Sequence, residues 1–281
     1  MKRNLIVLTI FIIFSSVSLH AQVHKRIDVR ESFTDIFTVD SGAQFAAAFR
    51  ESKLDGSVFH GGMKVDLIDP KSEFSRGISI GPTVELHRNG NAARKELTFM
   101  VGANAVALYG DPKDIGHRLL LTGEYKNNRV THREGSQVTF RYALESGAIG
   151  LGEAAGSPQL GFSWQPVIGL EWENRARAAQ GDQTGRIMRA YTGMKVVLLP
   201  GQAALDKRVE VSGSYEFWSD FFETSRIIDH DDKHDMIKAS LTVYLDRTRH
   251  FGLSADYVHG EDPTKAVSYQ AFGAFSVRVR F

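Results

Sequence analysis

The run Asp229-His230-Asp231-Asp232-Lys233-His234-Asp235 sets carboxylates and imidazoles side by side, the groups that hold divalent cations. It lacks the fixed ligand spacing of a calcium loop or a zinc site, so it reads as a solvated acidic loop and no metal is expected. His250, Ser254 and Asp256 come nearest to a nucleophilic set. On one strand face, neighbours stand roughly 6.6 Å apart, so His250 and Ser254 are about twice that apart and out of hydrogen-bond reach. Glu85 and His87 share a face as a plain polar pair. Gly147, Gly150 and Gly152 lack the strand-to-helix setting of a phosphate cradle. No catalytic residue and no cofactor is therefore expected, and the chain reads as a non-enzyme.

The larger set of chemistry-bearing residues recurs on alternate positions along the chain. It comprises His60, Lys64, Asp66, Glu85, His87, Arg118, Glu124, Lys126, Arg141, Glu145, Glu171, Arg189, Lys195, Glu210, Glu216, Lys238, Asp256, Arg278 and Arg280. Both signs are interleaved on neighbouring segments. Gathered inside a closed sheet, such charges line a water-filled path that filters solutes by field and size, or pair across strands and close it.

The elements that must position them are strands. In 138–145, Val138, Phe140, Tyr142 and Leu144 alternate with Thr139, Arg141, Ala143 and Glu145. A period of two means one apolar and one polar face; a helix would scatter the same residues around its circumference. Twelve such runs are predicted, at 42–51, 56–68, 76–88, 95–109, 117–127, 136–146, 158–173, 186–199, 207–220, 235–246, 249–260 and 266–281. Turn-rich pieces such as Asn89-Gly90-Asn91 and Gly110-Asp111-Pro112 separate them. With no composition break, residues 42–281 read as one all-β domain, an antiparallel up-and-down transmembrane β-barrel. Residues 22–41 form a polar periplasmic lead-in. Pro82 and Pro166 fall inside runs, where each removes a ladder hydrogen bond, so a bulge, or else a misplaced strand, is expected at both.

Lys2 and Arg3, the apolar run Leu5–Phe14 and the small or polar residues up to Ala21 have the order of a cleaved secretory signal over 1–21. Removing it leaves 32 Lys+Arg against 33 Asp+Glu, a net charge of −1, which gives no reason to expect nucleic acid as a partner. With no cysteine, the chain has no disulfide, thiolate metal site or cysteine nucleophile. Beyond the signal no apolar run is long enough for a spanning helix, leaving a soluble periplasmic protein or an outer-membrane barrel.

An even strand count and runs of at least the roughly 9–11 residues that a tilted crossing needs favour the membrane. The final run, Tyr269 to Phe281, resembles the terminal strand of Gram-negative outer-membrane proteins. That resemblance implies a porin-like β-barrel of the bacterial outer membrane, with Phe281 recognised by the barrel assembly machinery. Membrane lipids and lipopolysaccharide are then the surrounding partners. Two aromatic girdles are expected. Phe59, Phe99, Tyr125, Trp172, Tyr215, Phe217, Tyr257 and Tyr269 would form the outer one, and Tyr109, Phe162, Trp164, Phe251 and Phe281 the periplasmic one. The expected function is passive transport of small solutes. The alternatives are a structural or interaction barrel that works through external loops 174–185 and 221–234, and a lipid-modifying enzyme.

Overall fold

The computed structural model describes residues 27–30, 43–50, 53–67, 77–89, 96–111, 115–130, 132–152, 155–177, 184–224, 232–263 and 267–279. The signal segment 1–21, Asp229 to Asp231, Arg280 and Phe281 lie outside the described residues. The strands are β1 (Ile27–Arg30), β2 (Ala43–Arg50), β3 (Lys53–Val65), β4 (Ile78–Asn89), β5 (Glu96–Asp111), β6 (Ile115–Asn128) and β7 (Arg133–Glu145). They continue with β8 (Ala155–Gly156), β9 (Leu160–Arg177), β10 (Gly185–Pro200), β11 (Val209–Glu223), β12 (Lys233–Tyr244), β13 (Phe251–Asp262) and β14 (Val267–Val279).

Setting aside β1 and the two-residue β8, twelve long strands form one antiparallel sheet, each beside its sequence neighbours. The pairings of β14 with β2, β2 with β3 and β3 with β4 bring the two ends of that series together. Every long strand thus has a partner on both sides, which removes the unpaired edges of an open sheet. These twelve strands coincide with the twelve alternating runs to within a few residues; the run 117–127, for example, is β6.

Two local features differ from expectation. Within the polar lead-in, Ile27–Arg30 pairs with Gly62–Val65 of β3, continuing the ladder that β2 begins at Gln44 opposite His60. Four residues are too few for alternation to reveal. Neither proline sits at a bulge: Pro82 stands opposite Ala103 and Pro166 opposite Met194 in unbroken registers. On their other sides, the ladders stop one residue short, at Lys64–Thr83 and at Ala143–Val167. Each proline is therefore paired on one side only, the edge-like setting that a residue without an N–H tolerates.

The polar face is the buried one. On β6, Thr122, Glu124, Lys126 and Asn128 are buried, whereas Leu121 and Tyr125 are 49% and 46% exposed. On β4, Thr83, Glu85 and His87 are buried while Ile78, Ile80 and Val84 face out. A small apolar cluster of Leu120, Ala143, Val167, Tyr191, Trp218 and Met236 shares the inside with the charges. This arrangement inverts that of a water-soluble barrel, whose apolar side chains fill the interior.

Candidate functional site

Ring closure turns the alternate polar positions of neighbouring strands toward one interior. Lys64, Asp66, Glu85, His87, Glu124, Lys126, Arg141, Glu145, Glu171, Arg189 and Glu216 are buried there. His60, Arg118, Lys195, Glu210, Lys238, Asp256 and Arg278 are half-buried.

The densest group spans β6 to β13. Arg189 on β10 is fully buried and sits among three carboxylates. Its Nη1 lies 2.6 Å from Glu173 Oε2 and 3.9 Å from Glu171 Oε2, and its Nε lies 2.8 Å from Asp220 Oδ1. Arg141 of β7 pairs with Glu171 and stacks over the Tyr191 ring, 3.7 Å from its centroid. Trp218 Nε1 donates to Glu171 Oε1 at 3.0 Å, and the Tyr191 hydroxyl donates to Glu216 Oε2 at 3.2 Å. Lys238 Nζ lies 2.9 Å from Glu216 Oε1, and Lys126 donates to Gln137. His234 extends the chain toward one end of the barrel, 3.6 Å from Asp220 and 3.3 Å from Glu261. Arg189, Arg141, Glu171, Glu173, Asp220 and Glu216 each have an opposite charge within reach, the condition under which burial is tolerated.

Smaller groups occupy other sectors. Asp256 accepts from Ser240, Ser254 and Ser276 at 2.6–2.7 Å and from Arg278 at 2.8 Å. Lys64 Nζ lies 2.8 Å from Asp66 Oδ1, with Ser79 bonded to both. Close by, His87 bridges Glu85 at 2.7 Å and His60 at 3.0 Å. Arg118 with Glu145 (2.6 Å), and Glu210 with Arg249 and Tyr244, close the opposite strand ends.

Other sequence-marked sets come apart. His250 lies in the β12–β13 turn with Nδ1 2.9 Å from the Thr248 hydroxyl, whereas Ser254 and Asp256 belong to the serine-ringed group. Of the acidic run, Asp232 is exposed, Lys233 opens β12 and His234 is buried. Among the described residues no three metal-binding side chains converge.

Among the inner residues that the sequence reading did not place there are Glu173, Tyr191, Trp218, Asp220 and His234. Glu173 shares a face with Glu171 and was within reach of simple alternation. Tyr191 and Trp218 are aromatic and break the polar pattern of their own faces. Asp220 and His234 lie near strand ends where alternation fades.

Outside, Phe99, Tyr125, Tyr215 and Tyr257 are exposed toward one set of strand ends, and Tyr109, Phe162 and Phe251 toward the other. Phe59, Trp164, Trp172 and Phe217 are half-buried.

No family model and no curated protein matches the chain. A solved chain from work on the mechanism of in-meso crystallization of membrane proteins is similar over 85% of this chain and 83% of its own, at 10% identity and a TM-score of 0.42.

Proposed function

We propose that the chain is a β-barrel of the bacterial outer membrane whose interior is sealed by ion pairs, serving as a structural or interaction barrel through its external loops. The observation that carries this reading is Arg189, fully buried between Glu173 and Asp220 with Glu171, Arg141 and Trp218 packed behind. A side chain lining an open aqueous path would be exposed. The apolar outer surface supports the membrane setting, since lipid solvates such a belt and water does not. The segments left for partner contact are short, 178–184 between β9 and β10 and 224–232 between β11 and β12.

A second reading, passive transport of small solutes, draws on one observation. The inner positions of β12 to β14 carry Ser240, Thr242, Ser254, Ala274 and Ser276, side chains shorter than the arginines and glutamates of the charged sector. Planar-bilayer recording distinguishes the two. A membrane that stays sealed at high protein load fits the closed barrel; discrete steps of conductance from the unaltered protein would establish transport and overturn it.

A further inference from the structure

On the outer wall near the Ile115 end of β6, an imidazole interrupts the apolar belt. The outward positions of β6 read Ile115, His117, Leu119 and Leu121, and Ile115 and Leu121 are 60% and 49% exposed. His117 is fixed on both sides by neighbouring strands. Its ring stacks on Tyr109 of β5, with centroids 4.4 Å apart and planes 7° apart. Its Nδ1 lies 2.7 Å from the Tyr142 hydroxyl of β7. With the Tyr142 hydroxyl donating to Nδ1, the ring proton is on Nε2. His117 makes no second hydrogen bond among the described residues. A polar N–H held in a surface otherwise solvated by hydrocarbon is costly unless something accepts from it. Two residues from the strand end, it stands where acyl chains give way to headgroups, and Tyr109 beside it has the amphipathic ring suited to that layer.

We infer that Tyr109, His117 and Tyr142 form a binding site for the phosphodiester headgroup of a membrane phospholipid, with His117 Nε2–H donating to a phosphate oxygen. The chemistry is complementary, because phosphodiester oxygens only accept hydrogen bonds. The inference rests on the membrane reading above and goes beyond it by naming a lipid class and a place on the wall.

The test uses the full-length mature protein in micelles doped with dioleoylphosphatidylglycerol or with dioleoylglycerol, which has the same chains and no phosphate. Native mass spectrometry counts the retained lipids. The unaltered protein is expected to retain phosphatidylglycerol several-fold more than diacylglycerol. His117→Leu abolishes that preference and Tyr142→Phe weakens it. Should the leucine variant fail to fold, His117→Gln serves in its place and gives a reduced preference. Equal retention of the two lipids by a folded barrel, or an unchanged preference in the His117 variants, overturns the site. Full displacement of the lipid by inorganic phosphate would overturn the lipid assignment in favour of a soluble anion. A boiling-dependent shift in gel migration is scored alongside. Its absence in the unaltered protein, with neither lipid retained, would sink the membrane reading itself; a normal shift without lipid preference would sink this site alone.

Discussion

Asp220 meets Arg189 as the last pair of the continuous β10–β11 register that begins at Leu198 opposite Val211. Met188 stands opposite Phe222 and Arg189 opposite Asp220, so Phe221 is bulged out just beyond the pair, and Asp220 keeps the inward parity of Glu216 and Trp218. Both side chains are fully buried, 2.8 Å apart. Replacing Arg189 by alanine leaves Glu173 and Asp220 without the guanidinium they share, while Arg141 stays on Glu171. We expect Arg189→Ala to lower unfolding free energy by about 3–5 kcal/mol, read as the urea midpoint for folding into lipid vesicles. Neutralising Glu173 and Asp220 as Gln and Asn in the same chain should recover most of it. A loss well under 1 kcal/mol would mean that Arg189 does not hold the interior together.

Trp218 reports on the same cluster by spectroscopy. It is buried and donates to Glu171, while Trp164 and Trp172 sit on outward positions. Trp218→Phe keeps an aromatic ring, though a smaller one, near Tyr191 and removes one hydrogen bond to a charged group, a loss of about 1–3 kcal/mol. The emission that remains should respond fully to lipid-borne quenchers, since both residual tryptophans belong to the outer wall. A large unquenched fraction in the variant would show that this placement is wrong.

The strands were legible because a sheet with unlike faces writes its period directly into the chain. The run Val138 to Glu145 can alternate over eight residues only by presenting one face to each environment. Which face is inside was not legible from alternation, since a soluble barrel has the same period. Only closure, with Lys64 buried and Leu121 exposed, makes the distinction. Partnerships were hidden for a different reason. Arg141 and Glu171 are on adjacent strands 30 residues apart, and their contact depends on the β7–β9 register across the intervening β8 hairpin. Asp220 keeps the inward parity of Glu216, but Trp218 between them interrupts the polar pattern of that face.

The turn between β12 and β13 gives a pH prediction. The Asp246 carboxylate accepts from the Thr248 hydroxyl and from the backbone N–H groups of Phe251, at 2.8 Å, and His250, at 3.0 Å. These donors hold its carboxyl well below the usual carboxylate range, the Thr248 hydroxyl contributing most. A depressed native value favours folding fully above the unfolded value of about 3.9 and loses that contribution as pH falls toward the native one. Amide exchange at Phe251 and His250 should therefore be slow and uniform at neutral pH and quicken selectively in acid. Asp246→Ala should show the fast exchange at every pH; unchanged protection in that variant would remove the carboxylate from the turn's support.

Leu121 offers the sharpest separation between a membrane barrel and a soluble one. It is 49% exposed midway along β6, between the buried Leu120 and Thr122. In water, an arginine at a half-exposed strand position costs little, because its head stays hydrated. In a bilayer, the same head faces hydrocarbon, and near the midplane the cost is about 2–4 kcal/mol. We expect Leu121→Arg to reduce stability by that amount in vesicles, and to do so less in thinner bilayers, where the guanidinium reaches the headgroups. The inward neighbour gives the control. Thr122→Val removes a hydroxyl bonded to Asn104, so its effect should not depend on bilayer thickness. A Leu121→Arg protein as stable as the original in thick bilayers would place this wall in water and reverse the assignment of the two faces.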